Sequence, residues 1–245
     1  NHEYNAMCYC TQGRKNSGLQ YLREHNARHH RLISETLEQF QNFQHEWTEF
    51  LAWFHEIPLF LEKEHFRVVH ACWDDHAIER LKLSSPTGCI TEDLLHLSSL
   101  VGSFESRLID KLTRGTSLIL PNGETMLGKD GLSRSMFRTK FWSDKPEHYE
   151  DVVFQPDALP PEIAKKPLTA IEHQQLLSYP LTEMPVFVGH YWISTEPKPI
   201  QSNIACLDYC AVKYGKLVAY RMDDEKVLSQ EKFVWVDVKN NEASS

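Results

Sequence analysis

Two histidines in this chain stand where short apolar runs stop. Phe66-Arg67-Val68-Val69 leads into His70-Ala71-Cys72-Trp73, and Pro185-Val186-Phe187-Val188-Gly189 leads into His190-Tyr191-Trp192. Their β-branched and aromatic residues mark both runs as short buried strands. Ligands of open α/β folds gather at the carboxyl ends of strands, so His70 and His190 are expected to face one crevice. Asn1-His2-Glu3 is a third candidate place. Imidazole nitrogens and a neutral amide oxygen suit a borderline divalent ion such as Mn²⁺, Zn²⁺ or Fe²⁺. The three places are therefore expected to converge on a metal centre. Taken singly, each histidine is more often structural than ligating, and thirteen histidines make chance placements easy. Their order and setting carry the argument.

The elements that must position these residues are legible in outline. Residues 11–18 are polar and flanked by glycine, hence an exposed loop. Leu32, Ile33, Leu37 and Phe40 suit one amphipathic helix; Trp47, Phe50, Leu51 and Phe54, at i, i+3, i+4 and i+7, suit a second that Pro58 closes. Leu59–Leu61 and Phe66–His70 read as a hairpin joined through Glu62-Lys63-Glu64-His65, which delivers His70 from a rigid element. Thr91–Val101 and Phe104–Leu112 read as helices. Leu118–Leu120 reads as a strand ending in the turn Pro121-Asn122-Gly123, and Gly128–Gly131 as a second turn before a basic stretch with Arg134, Arg138 and Lys140. Seven prolines between Ser143 and Pro185 leave room for extended connections and one short helix near Thr169–Leu177. Val186–Gly189, Asn203–Leu207, Lys216–Arg221 and Phe233–Val238 are strand-like, with turns at Tyr214-Gly215 and Met222-Asp223-Asp224.

Asn-His-Glu, then a strand-terminal His-Ala, then Gly-His resembles the second half of the calcineurin-like metallophosphoesterases. It is closest in wording to the phosphoprotein-phosphatase branch that also includes the diadenosine tetraphosphate hydrolases. Phe66–Trp73, Leu120–Trp142, Val186–Trp192 and Ile204–Arg221 extend the likeness to a bacterial subfamily and over nearly the whole chain. The superfamily carries five blocks in order, and this chain starts inside the third, with Asn1 at the Asn of GNHE. The GDxHG and GDxxDRG blocks would lie before residue 1, so the chain is expected to be truncated at its amino end.

The resemblance implies a four-layer α/β/β/α sandwich lacking its first βαβ segment, in an α/β (α+β) fold. Residues 1–245 would form a single domain with a helical and loop insertion at about 76–184. It implies hydrolysis of phosphomonoesters, phosphoproteins or dinucleoside polyphosphates. Asn1, His70 and His190 would be metal ligands, and His2 would protonate the leaving oxygen, a role imidazole commonly fills. Two divalent ions about 3.5–4 Å apart make water acidic enough to attack a phosphorus centre and stabilise both flanking oxygens. At most one is expected in this chain, because the first metal's ligands lie in the absent blocks. Arg134 and Arg138 are candidates for holding the phosphate, since guanidinium grips it bidentately; two surface arginines on a polar loop is the alternative. Asp74 and Asp75 suit either orientation of the ligand imidazoles or the cap of a following helix. Trp73, Trp142 and Trp192 read as core or pocket wall.

Composition narrows the alternatives. With 41% hydrophobic and 24% charged residues, the 245-residue chain is an ordinary globular sequence. No apolar run approaches the roughly 18–20 residues needed to span a bilayer, and no signal peptide is visible. A net charge of −8 argues against a nucleic-acid groove but not against a single phosphate. The expected partner is thus a phosphorylated small molecule or phosphoprotein, with neither nucleic acid nor membrane. Six cysteines without a CxxC pair read as reduced thiols of a cytoplasmic protein, the alternative being a structural zinc site. A second functional reading is a truncated, inactive fragment that at most binds.

Overall fold

The fold is that of a computed structural model, which describes residues 1–127, 133–154, 159–213 and 215–239. It is a mixed α/β structure whose chain divides into two compact units, residues 1–61 with 75–113 and residues 62–74 with 114–245.

The first unit is helical. Helix α1 (His2–Cys10) buries Tyr4 through Tyr9 in succession, so it is enclosed on all sides rather than amphipathic. Helices α2 (Ala27–Arg31) and α3 (Ser34–Gln39) replace the single helix expected around Leu32–Phe40. The break falls at Ile33, which leaves helical geometry (φ −135°) to be buried with Ala6, Tyr9 and Trp47. Burial of a branched side chain outweighs its weak helix preference. Helix α4 (Gln44–Glu56) ends at Ile57, which is extended before Pro58 as its ring requires. Trp47, Leu51 and Phe54 pack inward, while Phe50 stays outside. Strand β1 (Phe60–Glu62) carries the chain into the second unit. Helix α5 (Asp75–Ser84) begins directly after Asp74, so Asp75 lies in its first turn, where a carboxylate meets the positive end of the helix. Helix α6 (Glu92–Ser98) is capped by the Thr91 side chain, which accepts from Leu94 N–H at 3.2 Å. Helix α7 (Phe104–Arg114) buries Leu108, Ile109 and Leu112.

The second unit holds the sheets. Strand β2 (Arg67–Val69) follows the expected hairpin turn, where Lys63 N–H donates to Phe66 O at 2.9 Å. Strand β3 (Ser117–Ile119) leads into a tight turn at Pro121–Gly123, where Asn122 and Gly123 both have positive φ. Strands β4 (Met126–Leu127) and β5 (Ser133–Arg134) pair antiparallel, as do β3 and β6 (Met136–Arg138). Two four-residue helices that the proline-rich sequence did not foretell, α8 (Tyr149–Val152) and α9 (Pro161–Ala164), supply Tyr149, Val152 and Ile163 to a core with Leu118, Leu120 and Phe137. Helix α10 (Ala170–Gln175) lies where expected, closed by a capping box between Thr169 and Glu172.

Strands β7 (Val186–Val188) and β8 (Ile204–Cys206) are buried at every position and parallel, with β2 paired to β7 and β7 to β8. Continuous apolar runs belong in parallel sheets covered on both faces. Strands β9 (Asp208–Tyr209), β10 (Lys216–Tyr220) and β11 (Phe233–Asp237) form an antiparallel sheet in the order β11-β10-β9. Phe187 and Ala205 of the parallel sheet share one core with Tyr209, Val218 and Phe233 of the antiparallel one. The expected turn at Gly128–Gly131, and Tyr214 of the turn before β10, lie outside the described residues. All six cysteines are thiols. Among the described residues no helix is long and apolar enough to cross a membrane.

Candidate functional site

Parallel pairing of β2 with β7 sets Arg67 opposite Val186 and Val68 opposite Phe187. Both strands therefore end at one level, and the ladder runs one step further, with Gly189 N–H donating to His70 O at 2.9 Å. The imidazoles of His70 and His190 come together beyond that bond, ring centroids 5.3 Å apart and inclined at 60°. This is the crevice expected of two strand-end histidines.

The chain turns sharply there. His190 is left-handed, at φ 65°, and so is Trp192, at φ 46°. Such backbone costs a non-glycine residue about 1–2 kcal/mol and persists only where the surroundings impose it. Tyr191 between them is the anchor. Its ring packs edge-on against Trp142 and Phe154, each with a centroid distance of 5.0 Å, and its hydroxyl is buried without a hydrogen-bond partner. Gly115 approaches that hydroxyl so closely that an added Cβ would lie 3.1 Å from it.

His190 is buried, and its Nε2 also has no hydrogen-bond partner. Burial pushes its pKa down to about 3, and the positive charge of Arg138 and the neighbouring His70 add to the shift. The ring is consequently neutral at ordinary pH, with lone-pair density held inside the fold. Arg138 ends β6; loss of hydration lowers the pKa of its guanidinium, and repulsion from Arg114 and Arg134 contributes. Cations thus gather around one buried, neutral imidazole in a chain of net charge −8. Such a cluster attracts an oxyanion.

Below the site, Arg67 fixes the start of β2. Its guanidinium donates to Glu62 at 3.0 Å, Glu183 at 2.9 Å and the Tyr179 hydroxyl at 3.2 Å, and lies 4.7 Å from the Trp73 ring centroid. Trp73 is core, and Trp142 is half-buried among aromatics. Trp192 departs from a core role: it is 49% exposed, and the Lys213 ammonium stands 4.2 Å from its ring centroid.

The second unit therefore brings together His70, His190 and Arg138, with Arg134 and Arg114 near the last. Asn1 and His2 belong to the first unit, where Asn1 is the N-cap residue of α1 and His2 is its exposed first residue. Sequence reasoning missed Arg114 and Tyr191. Arg114 sits just before Gly115 and β3 and carries no motif; Tyr191 follows His190 directly, and its burial was hidden.

Two facing imidazoles, one with an orphaned buried nitrogen, fit part of a metal's shell. Among the described residues no group of three or more His, Cys, Asp or Glu is placed to hold a metal ion. The carboxylate-rich set that a two-ion centre needs is not met by these residues. No family model matches the chain, and neither a curated protein nor a solved structure matches it.

Proposed function

We propose that this chain serves in the metal-dependent hydrolysis of phosphate esters, with His70 and His190 as imidazole ligands of a divalent ion. The observation that carries this reading is the meeting of the two rings at adjacent parallel strand ends, with His190 Nε2 buried and unpartnered. Mn²⁺, Fe²⁺ or Zn²⁺ bound there would act as a Lewis acid toward a phosphate oxygen. The chain's own groups do the rest. Arg138, with Arg134 and Arg114 behind it, grips the non-bridging oxygens of a phosphorylated small molecule or phosphoprotein. Burial keeps His190 neutral and ready to ligate. The resemblance adds Asn1 as an amide ligand and His2 as the donor of a proton to the leaving oxygen. The four-layer α/β/β/α sandwich belongs to the same reading, supported by the core that the parallel and antiparallel sheets share. A cytoplasmic setting is supported by the six thiols.

A second reading is a binding module that takes up an anion without turnover. It is favoured because, among the described residues, no group of three or more His, Cys, Asp or Glu is placed to hold a metal ion. Calorimetric titration with Mn²⁺ or Zn²⁺, alongside hydrolysis of an aryl phosphate, separates the two. Metal-dependent turnover that falls about 100-fold or more in His70→Ala and in His190→Ala is expected. Turnover that survives both substitutions overturns the assignment; phosphate binding without turnover selects the second reading.

A further inference from the structure

The antiparallel sheet of the second unit, ordered β11-β10-β9, leaves β11 at an edge. Five consecutive residue pairs, from Lys216–Asp237 to Tyr220–Phe233, join β11 to β10 without a bulge. On its other side, β11 has no strand among the described residues. Proteins ordinarily blunt such an edge with lysine, proline or a bulge. Here it reads Phe233-Val234-Trp235-Val236-Asp237, and the Asp237 charge is neutralised within the sheet by Lys216 at 2.5 Å. Val234 and Val236 are 59% and 62% exposed, and Trp235 39%.

The hydrogen bonds decide which backbone groups face outward. Arg221 N–H donates to Lys232 O at 3.0 Å, and Val238 N–H donates to Gly215 O at 2.9 Å. Alternate residues of an antiparallel strand turn N–H and C=O to the same neighbour. Lys232, Val234, Val236 and Val238 therefore address β10, while Phe233, Trp235 and Asp237 address the edge. Phe233 N–H donates to Gln230 O, so the edge is offered by Phe233 C=O and by both backbone groups of Trp235 and Asp237.

We propose that β11 pairs antiparallel with β11 of a second copy of this chain, about a two-fold axis at Trp235. That register is self-complementary, as an isologous dimer requires. Trp235 N–H donates to the partner subunit's Trp235 and its C=O accepts in return, while Asp237 N–H donates to the C=O of the partner subunit's Phe233. Val234 stands opposite the partner subunit's Val236, a pair of β-branched side chains that cover each other. Charge favours the same alignment. Glu231, in the turn that enters β11, and Lys239, just beyond its end, are both exposed. Antiparallel pairing sets each against its opposite, whereas parallel pairing would set like against like.

Sedimentation equilibrium of the whole chain is expected to show a reversible dimer. Trp235→Pro removes the outward N–H and spares the ladder to β10, so it should give a monomer with the parent's circular dichroism. Glu231→Lys should weaken the dimer about tenfold by turning both attractions into repulsions, and adding Lys239→Glu should restore it. Mixed Val234→Cys and Val236→Cys chains should cross-link on oxidation, because residues opposite each other there lie within disulfide reach; either variant alone should match the parent. A monomeric parent, or a dimer as tight in Glu231→Lys as in the parent, overturns the proposal. So does a dimer that persists in a Trp235→Pro chain with the parent's circular dichroism. The pairing holds whether or not His70 and His190 take a metal, so its failure leaves the phosphoesterase reading untouched.

Discussion

His70 and His190 are 120 positions apart in sequence, yet their rings meet at 5.3 Å because β2 and β7 are parallel neighbours that stop at the same level. An antiparallel pairing of the same two strands would have put the histidines at opposite ends of the sheet. The backbone bond from Gly189 N–H to His70 O, at 2.9 Å, locks that alignment. Four further consequences can be measured.

The left-handed backbone at His190 limits what can replace it. His190→Asn should cost less stability than His190→Val, because asparagine tolerates positive φ and a β-branched residue does not. A gap of about 1–2 kcal/mol in urea unfolding is expected. Equal midpoints would mean that the turn relaxes in solution.

Arg67 is buried and donates to Glu62, Glu183 and Tyr179. Arg67→Met removes the charge and the hydrogen bonds that Glu62, Glu183 and Tyr179 accept from it. Because Glu183 is 39% exposed, the loss should fall below that of a fully buried pair, at about 2–3 kcal/mol. Circular dichroism during urea unfolding checks it. The double substitution with Glu183→Gln should recover part of the loss.

Glu225 gives the antiparallel sheet a defined acid limit. Desolvation would raise its pKa, but the Lys232 ammonium at 2.7 Å and the Tyr220 hydroxyl at 2.5 Å hold it down to about 2. A carboxyl depressed on folding stabilises the protein above its ordinary value near 4.5, and that contribution fades as pH falls toward 2. Glu225→Gln should therefore be less stable than the parent above pH 4.5, with the difference shrinking as the pH drops. Unfolding midpoints at several pH values between these limits test the sign; a difference that grows on acidification contradicts it.

Gly215 has no room for a side chain. An added Cβ would lie 2.0 Å from Tyr209 O and 2.9 Å from Cys210 O, both backbone atoms that cannot swing away. Gly215→Ala should cost about 2 kcal/mol or more. Thermal unfolding reads the loss, and a midpoint equal to the parent's would mean that the backbone around Tyr209 shifts to make room.

The parts of the site that could be read from sequence are those with a local cause. Val68-Val69 and Val186-Phe187-Val188 announce buried strands, and the small or polar residues after them announce where each strand stops. Thr169 and Glu172 announce a helix start by their spacing, and the helix is there. Ile33 was misleading for the opposite reason. Its place in a helical pattern is local, but its burial with Trp47 is not, and the distant contact broke the helix. The helices at Tyr149–Val152 and Pro161–Ala164 were illegible because each is one turn long, too short for periodicity to show.

The sequence alone determined which residues carry usable chemistry, and that His70 and His190 each stand at a strand exit, since side-chain type and strand termination are local properties. Only the tertiary structure decided that the two rings meet, that the charge of Arg138 reaches His190 and that Trp192 is left half exposed. Those facts depend on strand direction, register and two left-handed residues in one turn, which are set by packing between residues far apart in the chain.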